Sequence, residues 1–311
     1  MNEFWKRHGF TLVFSCLLIL FTGYALLDTF VIPRGYSSAE PIVSGESTKE
    51  ETPPGTAGAE LSLYIAEEAT EDESSYSDEN ISVTVTQYRE NDTTIYVADV
   101  TLSSPEYLKT ALAYGTYGKN VKAATSEIAE NAGAILAVNG DFYGARSDGY
   151  VIRNGVLYRA EGSGNEDLVI YADGSFEIID EDAISAETLL AKGAQQVLSF
   201  GPALVKNGEI AVSRNEEVGK AMASNPRTAI GIIDENHYVL VVSDGRTSES
   251  EGLSLYELAE VMQSLGVRTA YNLDGGGSST VVFRGEVINN PTTGGKTVKE
   301  RSVSDIVYIG Y

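Results

Sequence analysis

Residues 252–283 read GLSLYELAEVMQSLGVRTAYNLDGGGSSTVVF, and their pattern sets the fold class. Ser254 and Glu257 have the spacing of a capping box, and Leu255, Leu258, Ala259, Met262 and Leu265 make one apolar stripe. With Gly266 as the stop, a helix is predicted over Ser254–Leu265. A strand follows, ending Ala270-Tyr271-Asn272-Leu273-Asp274, and a glycine loop leads to a second buried strand over Thr280–Arg284. The same design stands 133 residues earlier, where a helix near Lys122–Asn131 leads through glycine to a strand, Ala134–Asn139, that runs into Asn139-Gly140-Asp141. Alternating strands begin at Ile81–Val85 and Ile95–Val100, and more are expected at Leu168–Tyr171, Thr228–Ile233 and Tyr238–Ser243. The last two flank the turn residues Asp234-Glu235-Asn236 and should form a hairpin. This mixture predicts an α+β class, a single mixed-sheet domain with flanking helices over residues 81–311.

Before that domain the composition changes twice. Phe10 to Leu27 reads FTLVFSCLLILFTGYALL, 18 positions without a charge, with Lys6 and Arg7 just ahead. That fits a short cytoplasmic tail over 1–9 and a membrane-spanning helix over 10–32 held positive-inside, leaving the C-terminal domain extracellular in a single-pass protein of the cell membrane. A signal peptide is the competing reading, although the nearest small-x-small pair, Ser37 and Ala39, stands well beyond the apolar run. Residues 33–80 carry 12 acidic and 2 basic residues among Ser, Thr, Glu and Pro, a composition that predicts a disordered acidic stalk, interrupted by one apolar patch at Leu61–Ala66.

The whole chain of 311 residues has a net charge of −23, which disfavours a nucleic-acid partner. Its one cysteine, Cys16, lies in the apolar run, so thiol chemistry is excluded from the domain. With only His8 and His237 available, a His-rich zinc site is excluded, and a Ser-His-Asp triad survives only through His237.

Side chains at i and i+2 of a strand share a face, so Asn139 with Asp141, and Asn272 with Asp274, each present an amide beside a carboxylate. Asn-x-Asp also simply ends strands and starts turns. After Asp274, Gly275, Gly276, Gly277, Ser278, Ser279 and Thr280 offer backbone amides and hydroxyls that can approach an anion closely. Arg227, Arg246 and Arg301 are the arginines placed at strand boundaries, where a guanidinium could hold a phosphate or merely pair with a surface acid.

The segments NGDFYG (139–144), FGPALV (200–205), NPRTAIGI (225–232), VSDGR (242–246), NLDGGGSSTVVF (272–283) and ERSVSDIVYI (300–309) resemble the phosphodiester glycosidase family. That family includes a lysosomal enzyme that removes N-acetylglucosamine from a sugar phosphodiester, and bacterial surface proteins described as exopolysaccharide-related. The likeness runs from about Ile81 to Tyr311 and departs at Ser302, where many relatives have proline. It implies hydrolysis of a glycosyl-1-phosphodiester in an exported or cell-surface glycan, with release of sugar and phosphomonoester. It further implies Asp141 and Asp274 at the anomeric side and Arg227 and Arg301 on the phosphate. Asn139 and Asn272 would orient groups, Gly275, Gly276, Ser278 and Ser279 would act as donors, and Asp244 and Arg246 would brace or join the site. No cofactor is required by that chemistry. Two other classes stay open: a phosphodiesterase that binds Ca²⁺ or Mg²⁺ through the Asn-x-Asp pairs, and a non-catalytic protein that holds an anionic surface glycan.

Overall fold

The computed structural model describes residues 3–35, 70–71, 74–216 and 224–311. Helix α1 covers Glu3–Phe30 and contains an apolar window, Leu12–Thr29, of mean hydropathy 1.9, in which Asp28 is the one charged residue. It is long and apolar enough to cross a membrane, a property that a signal sequence shares. Most of the expected stalk, with its patch at 61–66, lies outside the described residues. Its far end does not behave as a stalk: Ser75–Ser77 forms a strand and Tyr76 is buried in the core. The globular domain therefore starts by Ser75, earlier than the composition indicates, because one aromatic among acids is enough to anchor a short strand.

The strands in chain order are β1 (Arg34–Gly35), β2 (Thr70–Glu71), β3 (Ser75–Ser77), β4 (Ile81–Glu90), β5 (Thr93–Leu102), β6 (Leu108–Leu112), β7 (Gly118–Lys119) and, after helix α2 (Thr125–Ala132), β8 (Leu136–Asn139). Next come β9 (Val151–Arg153), β10 (Val156–Arg159), β11 (Glu166–Tyr171), β12 (Phe176–Asp180), helix α3 (Ala186–Ala191), β13 (Ala194–Leu198), β14 (Ala203–Lys206) and β15 (Glu209–Ile210). The last stretch holds β16 (Arg227–Asp234), β17 (His237–Ser243), helix α4 (Leu255–Ser264), β18 (Thr269–Asn272), β19 (Val281–Phe283), β20 (Glu286–Val287) and β21 (Asp305–Ile309).

The class is α+β as expected, with the strands divided among several sheets. One sheet of nine strands runs β15-β14-β18-β16-β17-β5-β4-β3-β2, and two of five run β10-β9-β13-β11-β12 and β20-β19-β8-β21-β6. Among the described residues the strand pairings are antiparallel, including the β16–β17 hairpin read from its turn residues. The main core joins the sheets face to face, with Ile81, Val83 and Val100 from the large sheet meeting Val138, Leu168 and Val307 from the smaller ones. Each helix then covers an outer face. Helix α4 buries Leu255, Leu258 and Met262 on the back of the large sheet, α2 buries Ile128 on the β8 sheet, and α3 buries Leu189 on the β11 sheet. The α4 cap is as read: Ser254 N donates to Glu257 Oε2 at 2.8 Å, and Glu257 N donates to Ser254 Oγ at 3.2 Å.

Candidate active site

Strands β8 and β18 belong to different sheets, yet their C-terminal ends meet. Asn139 Nδ2 donates to the Asp274 carbonyl at 2.6 Å, and Asp274 N donates to the Gly140 carbonyl at 3.3 Å. Asn139 Oδ1 accepts from Thr228 Oγ1 at 2.8 Å and Thr280 N at 3.3 Å. The two similar strand ends are thus tied to each other through the core. Asn272 Nδ2 donates to the Gly201 carbonyl at 2.7 Å. Both asparagines are fully buried; Asn139 uses its donor and its acceptor, whereas Asn272 uses only its donor, its buried Oδ1 having no hydrogen-bond partner among the described residues. A strand end inside a core leaves backbone groups to satisfy, and an amide supplies a donor and an acceptor at once.

Asp274 is nearly buried, its side chain 10% exposed, but it is held by a residue that reaches solvent. Its Oδ2 accepts from Ser278 Oγ at 2.6 Å and from Arg301 Nη2 at 3.0 Å, while Arg301 Nε donates to Ser278 Oγ at 2.8 Å. The Arg301 side chain is 38% exposed, so one guanidinium edge is held by the protein and the rest faces solvent. Arg246 donates to Asn225 Oδ1 from Nε and Nη2, and to the Thr293 carbonyl from Nη1. It lies across Gly276, where a Cβ would come within 2.8 Å of Nη2 at a backbone φ of +61°. Glycine is needed there for both space and conformation. Lys122 completes the group: burial lowers its pKa and that of Arg246, the charge of Arg301 lowers both further, and Asp274 pulls both back up. Burial likewise pushes the Asp274 carboxyl above its ordinary value, an effect that Arg301 and Ser278 only partly reverse. One carboxylate is therefore surrounded by three cations, a field suited to an anionic substrate.

The remaining expected residues lie around this cluster in other capacities. Arg227 is buried beside Gly275 and donates from Nε to the Leu253 carbonyl at 2.8 Å. Ser279 is buried, and its hydroxyl has no hydrogen-bond partner among the described residues. Asp244 and Arg246 do not brace each other: Asp244 accepts from Asn289 Nδ2, Asn290 N and Asn290 Nδ2, and so pins the 289–290 segment.

Asp141 is placed quite differently from Asp274. Its side chain is fully buried, with Oδ2 accepting from Arg153 Nη2 at 2.7 Å and Ser199 N at 3.1 Å, and Oδ1 from Tyr143 N at 2.8 Å. Arg153 also donates from Nε to Asp305 Oδ2 at 2.8 Å. Burial pushes the Asp141 carboxyl up, but Arg153 and the two amides pull it further down, to below the usual range. Asp305 goes the other way, up to about 7, through burial and the neighbouring Asp141 charge. The matched pair of carboxylates read from the two motifs is thus one nearly buried carboxylate, Asp274, held against an arginine that reaches solvent, and one fully sealed ion-pair member, Asp141. Arg153, Asp305 and Lys122 were not among the expected residues.

Behind Asp141, Ser199 Oγ reaches Glu181 Oε1 at 3.4 Å, and the buried Asp167 lies beside that carboxylate. Burial and the Glu181 charge push the Asp167 carboxyl up to about 9. The folded state then keeps a proton that the unfolded chain releases near pH 4, so this group makes stability fall as pH rises from about 4 to about 9. Asp167→Asn is expected to raise the melting temperature, more at pH 8 than at pH 5. An equal change at both values would show that Asp167 does not carry this proton.

His237, the one histidine in the domain, pairs with Asp99 at 3.0 Å. It opens β17, six residues from Ser243 at the site end, which is about 20 Å along an extended strand. A triad built on His237 is therefore absent. The two Asn-x-Asp pairs do not pool their oxygens, and among the described residues no group of three or more His, Cys, Asp and Glu side chains is placed to share a metal ion.

Comparison with known proteins agrees with this architecture. Residues 132–310 match the family model described as phosphodiester glycosidase. The SPbeta prophage-derived protein YomE of Bacillus subtilis is 31% identical over 203 residues, covering 63% of this chain and 31% of that protein. The mouse N-acetylglucosamine-1-phosphodiester alpha-N-acetylglucosaminidase is 31% identical over 189 residues, covering 55% of this chain and 36% of the enzyme. The chain thus spans about a third of the length of these relatives. Among solved structures, the zebrafish enzyme of the same name, its catalytic domain auto-inhibited by a pro-peptide, superposes with a TM-score of 0.59 at 22% identity. That match covers 74% of this chain and 83% of the zebrafish domain, and at such identity it is a likeness of fold.

Proposed function

The chain belongs to the phosphodiester glycosidase family, and from that premise we propose that it hydrolyses a glycosyl-1-phosphodiester at the anomeric C–O bond. Water supplies the new C1 hydroxyl, the C1–O bond breaks, and the phosphate departs as a phosphomonoester. The observation that carries this reading is the grouping of Asp274 with Arg301, Arg246 and Lys122 beside the joined strand ends, where Arg301 reaches solvent.

The arrangement suits the charges that develop. Departure of phosphate leaves oxocarbenium character on the sugar, which the Asp274 carboxylate stabilises, and adds negative charge to the leaving oxygen, which the cations neutralise. A phosphomonoester leaves more readily than an alcohol, so little is asked of a general acid. Arg301 is fixed through Nε and Nη2 to Ser278 and Asp274 and turns its free edge to the phosphate. Asp141 takes no direct part in this scheme. Held by Arg153, it sets the turn from Gly140 to Tyr143 against which Asp274 is hydrogen-bonded. The substrate is a phosphodiester-linked sugar of an anionic exported or surface glycan, and no cofactor is assigned.

Turnover of methyl glycosyl-1-phosphate diesters in ¹⁸O water tests the reaction, with label expected at C1 of the sugar. Label in the phosphate would establish P–O cleavage instead, and binding without turnover would establish a glycan-holding protein. The second part of the proposal is location: α1 is a signal-anchor that leaves the domain outside the membrane. Protease added to intact cells should remove the domain and leave a short membrane stub. Recovery of the domain from the medium with a new N-terminus near Glu40 would instead mean cleavage.

A further inference from the structure

The loop that directs Lys122 at Asp274 also sends Lys119 into a separate hollow. This cavity, of about 420 Å³, is lined by Arg34, Lys119, Arg146 and Arg159, by one exposed carboxylate, Glu161, and by Tyr117, Tyr143 and Tyr158. In a chain of net charge −23, a cavity with four cations and one carboxylate stands out, and of the four only Arg34 has an ion-pair partner, Asp28, among the described residues. Arg34, Arg89, Arg153, Arg214, Arg268 and Arg301 each meet a carboxylate. Lys119, Arg146 and Arg159 form no ion pair among the described residues. Arg159 is 8% exposed and donates only to carbonyls, from Nε to Gly149 at 2.6 Å and from Nη1 to Tyr143 at 3.1 Å and Arg146 at 2.9 Å. Its Nη2 has no partner in that network. Arg146 donates to the Ser199 carbonyl at 3.0 Å. These bonds fix both guanidinium groups in place without cancelling their charge.

Part of the same lining is aromatic. Tyr117 stacks on Tyr143 with centroids 5.3 Å apart and on Tyr158 with centroids 5.0 Å apart, so three rings form one pile. Tyr158 also borders the neighbouring cavity of about 610 Å³, together with Tyr114, whose ring is 64% exposed. Three cations without an ion-pair partner among the described residues, outnumbering the one carboxylate and set beside stacked rings, suit a ligand that joins an anion to a flat-faced, hydroxyl-bearing body. The lining of the smaller cavity contains no aliphatic side chain, which a lipid tail would need.

We propose that this cavity binds a negatively charged sugar unit of an anionic glycan, at a position removed from the bond that is cut. The substrate then is a polyanionic chain gripped at two places. That this glycan is the substrate rests on the glycosidase reading; the binding itself does not.

The test uses the full chain in phosphatidylcholine nanodiscs, titrated with carboxylated hyaluronan hexasaccharide, sulfated heparin hexasaccharide and neutral maltohexaose. An anionic hexasaccharide should bind and maltohexaose should not. Lys119→Ala with Arg146→Ala, both at half-exposed positions, should weaken that binding about tenfold or more, since each removes a charged hydrogen-bond donor. Hydrolysis of a methyl glycosyl phosphodiester should stay within about a factor of two of wild type, because a one-sugar substrate does not reach this cavity. Tyr158→Ala should weaken glycan binding and Tyr158→Phe should restore it. Unchanged affinity in the double variant, equal affinity for maltohexaose, or binding to phosphatidylserine vesicles in place of the hexasaccharides would each overturn the proposal. Charge-dependent glycan binding by a chain that hydrolyses no diester would uphold the site and remove the catalytic reading. Normal hydrolysis without glycan binding would remove the site alone.

Discussion

Asp274→Asn is expected to lower kcat by about two decades or more while KM changes little, the mark of an interaction made mainly in the transition state. The amide retains an acceptor for Ser278 and Arg301 but loses the charge that the developing oxocarbenium requires. The fold gives a second readout with a definite sign. Burial holds the Asp274 carboxyl above its ordinary pKa, so the folded state disfavours its ionised form. A neutral amide should therefore melt at the same temperature or higher at neutral pH, where a merely structural acid would melt lower. The acid limb of kcat/KM should also lie above the usual carboxylate range, and Arg301→Gln should move it further up by removing the main charge that pulls it down. Activity of Asp274→Asn within a factor of about three of wild type, in a protein that melts normally, would sink the proposed site.

The largest loss of stability should come from Arg153→Met. Arg153 is 2% exposed and lies between two carboxylates that are fully buried. Removing it leaves both acids without their cation, a change that costs about 3–5 kcal/mol in buried pairs. For a domain of this size the melting temperature should fall by about 10 °C. The drop should be larger at pH 8 than at pH 5, since at low pH the stranded carboxyls can take protons. Asp305→Asn should be far milder, because Asp305 already keeps its proton up to about pH 7. An Arg153→Met protein that melts within about two degrees of wild type would show that the pair contributes little.

The elements legible in the sequence were those with strong local signals. The capping box and apolar stripe of α4, the Asp234–Asn236 turn and the two glycine-terminated helices all appear where their spacing puts them. The likeness between the two Asn-x-Asp segments was also legible, and it proved to be a contact, Asn139 to Asp274. Burial of each carboxylate was not legible. Strand alternation tells which side chains share a face, but whether that face opens to solvent depends on the third sheet, brought by residues far away in the chain. A clue to the sealed partner did exist. Arg153 follows Val151 and Ile152, and Asp305 opens the apolar run Ile306–Ile309, and a charge embedded in a fully buried strand calls for an opposite one. The start of the domain was misplaced for a related reason, since Tyr76 acts through the sheet it joins and not through its own acidic neighbourhood.

Strand β21 is inserted between β8 and β6, although about 170 residues of synthesis separate it from β8. At roughly 5–20 residues per second, those two strands wait on the order of ten to thirty seconds for the strand that joins them. The segment around it also delivers Arg301 to Asp274 and Asp305 to Arg153. Neither charge cluster can assemble on a nascent chain, so a ribosome-bound intermediate has no working site. On the proposed reading of α1 as a signal-anchor, the polypeptide would cross the membrane before that sheet closes, and the proposed site would be completed only on the far side.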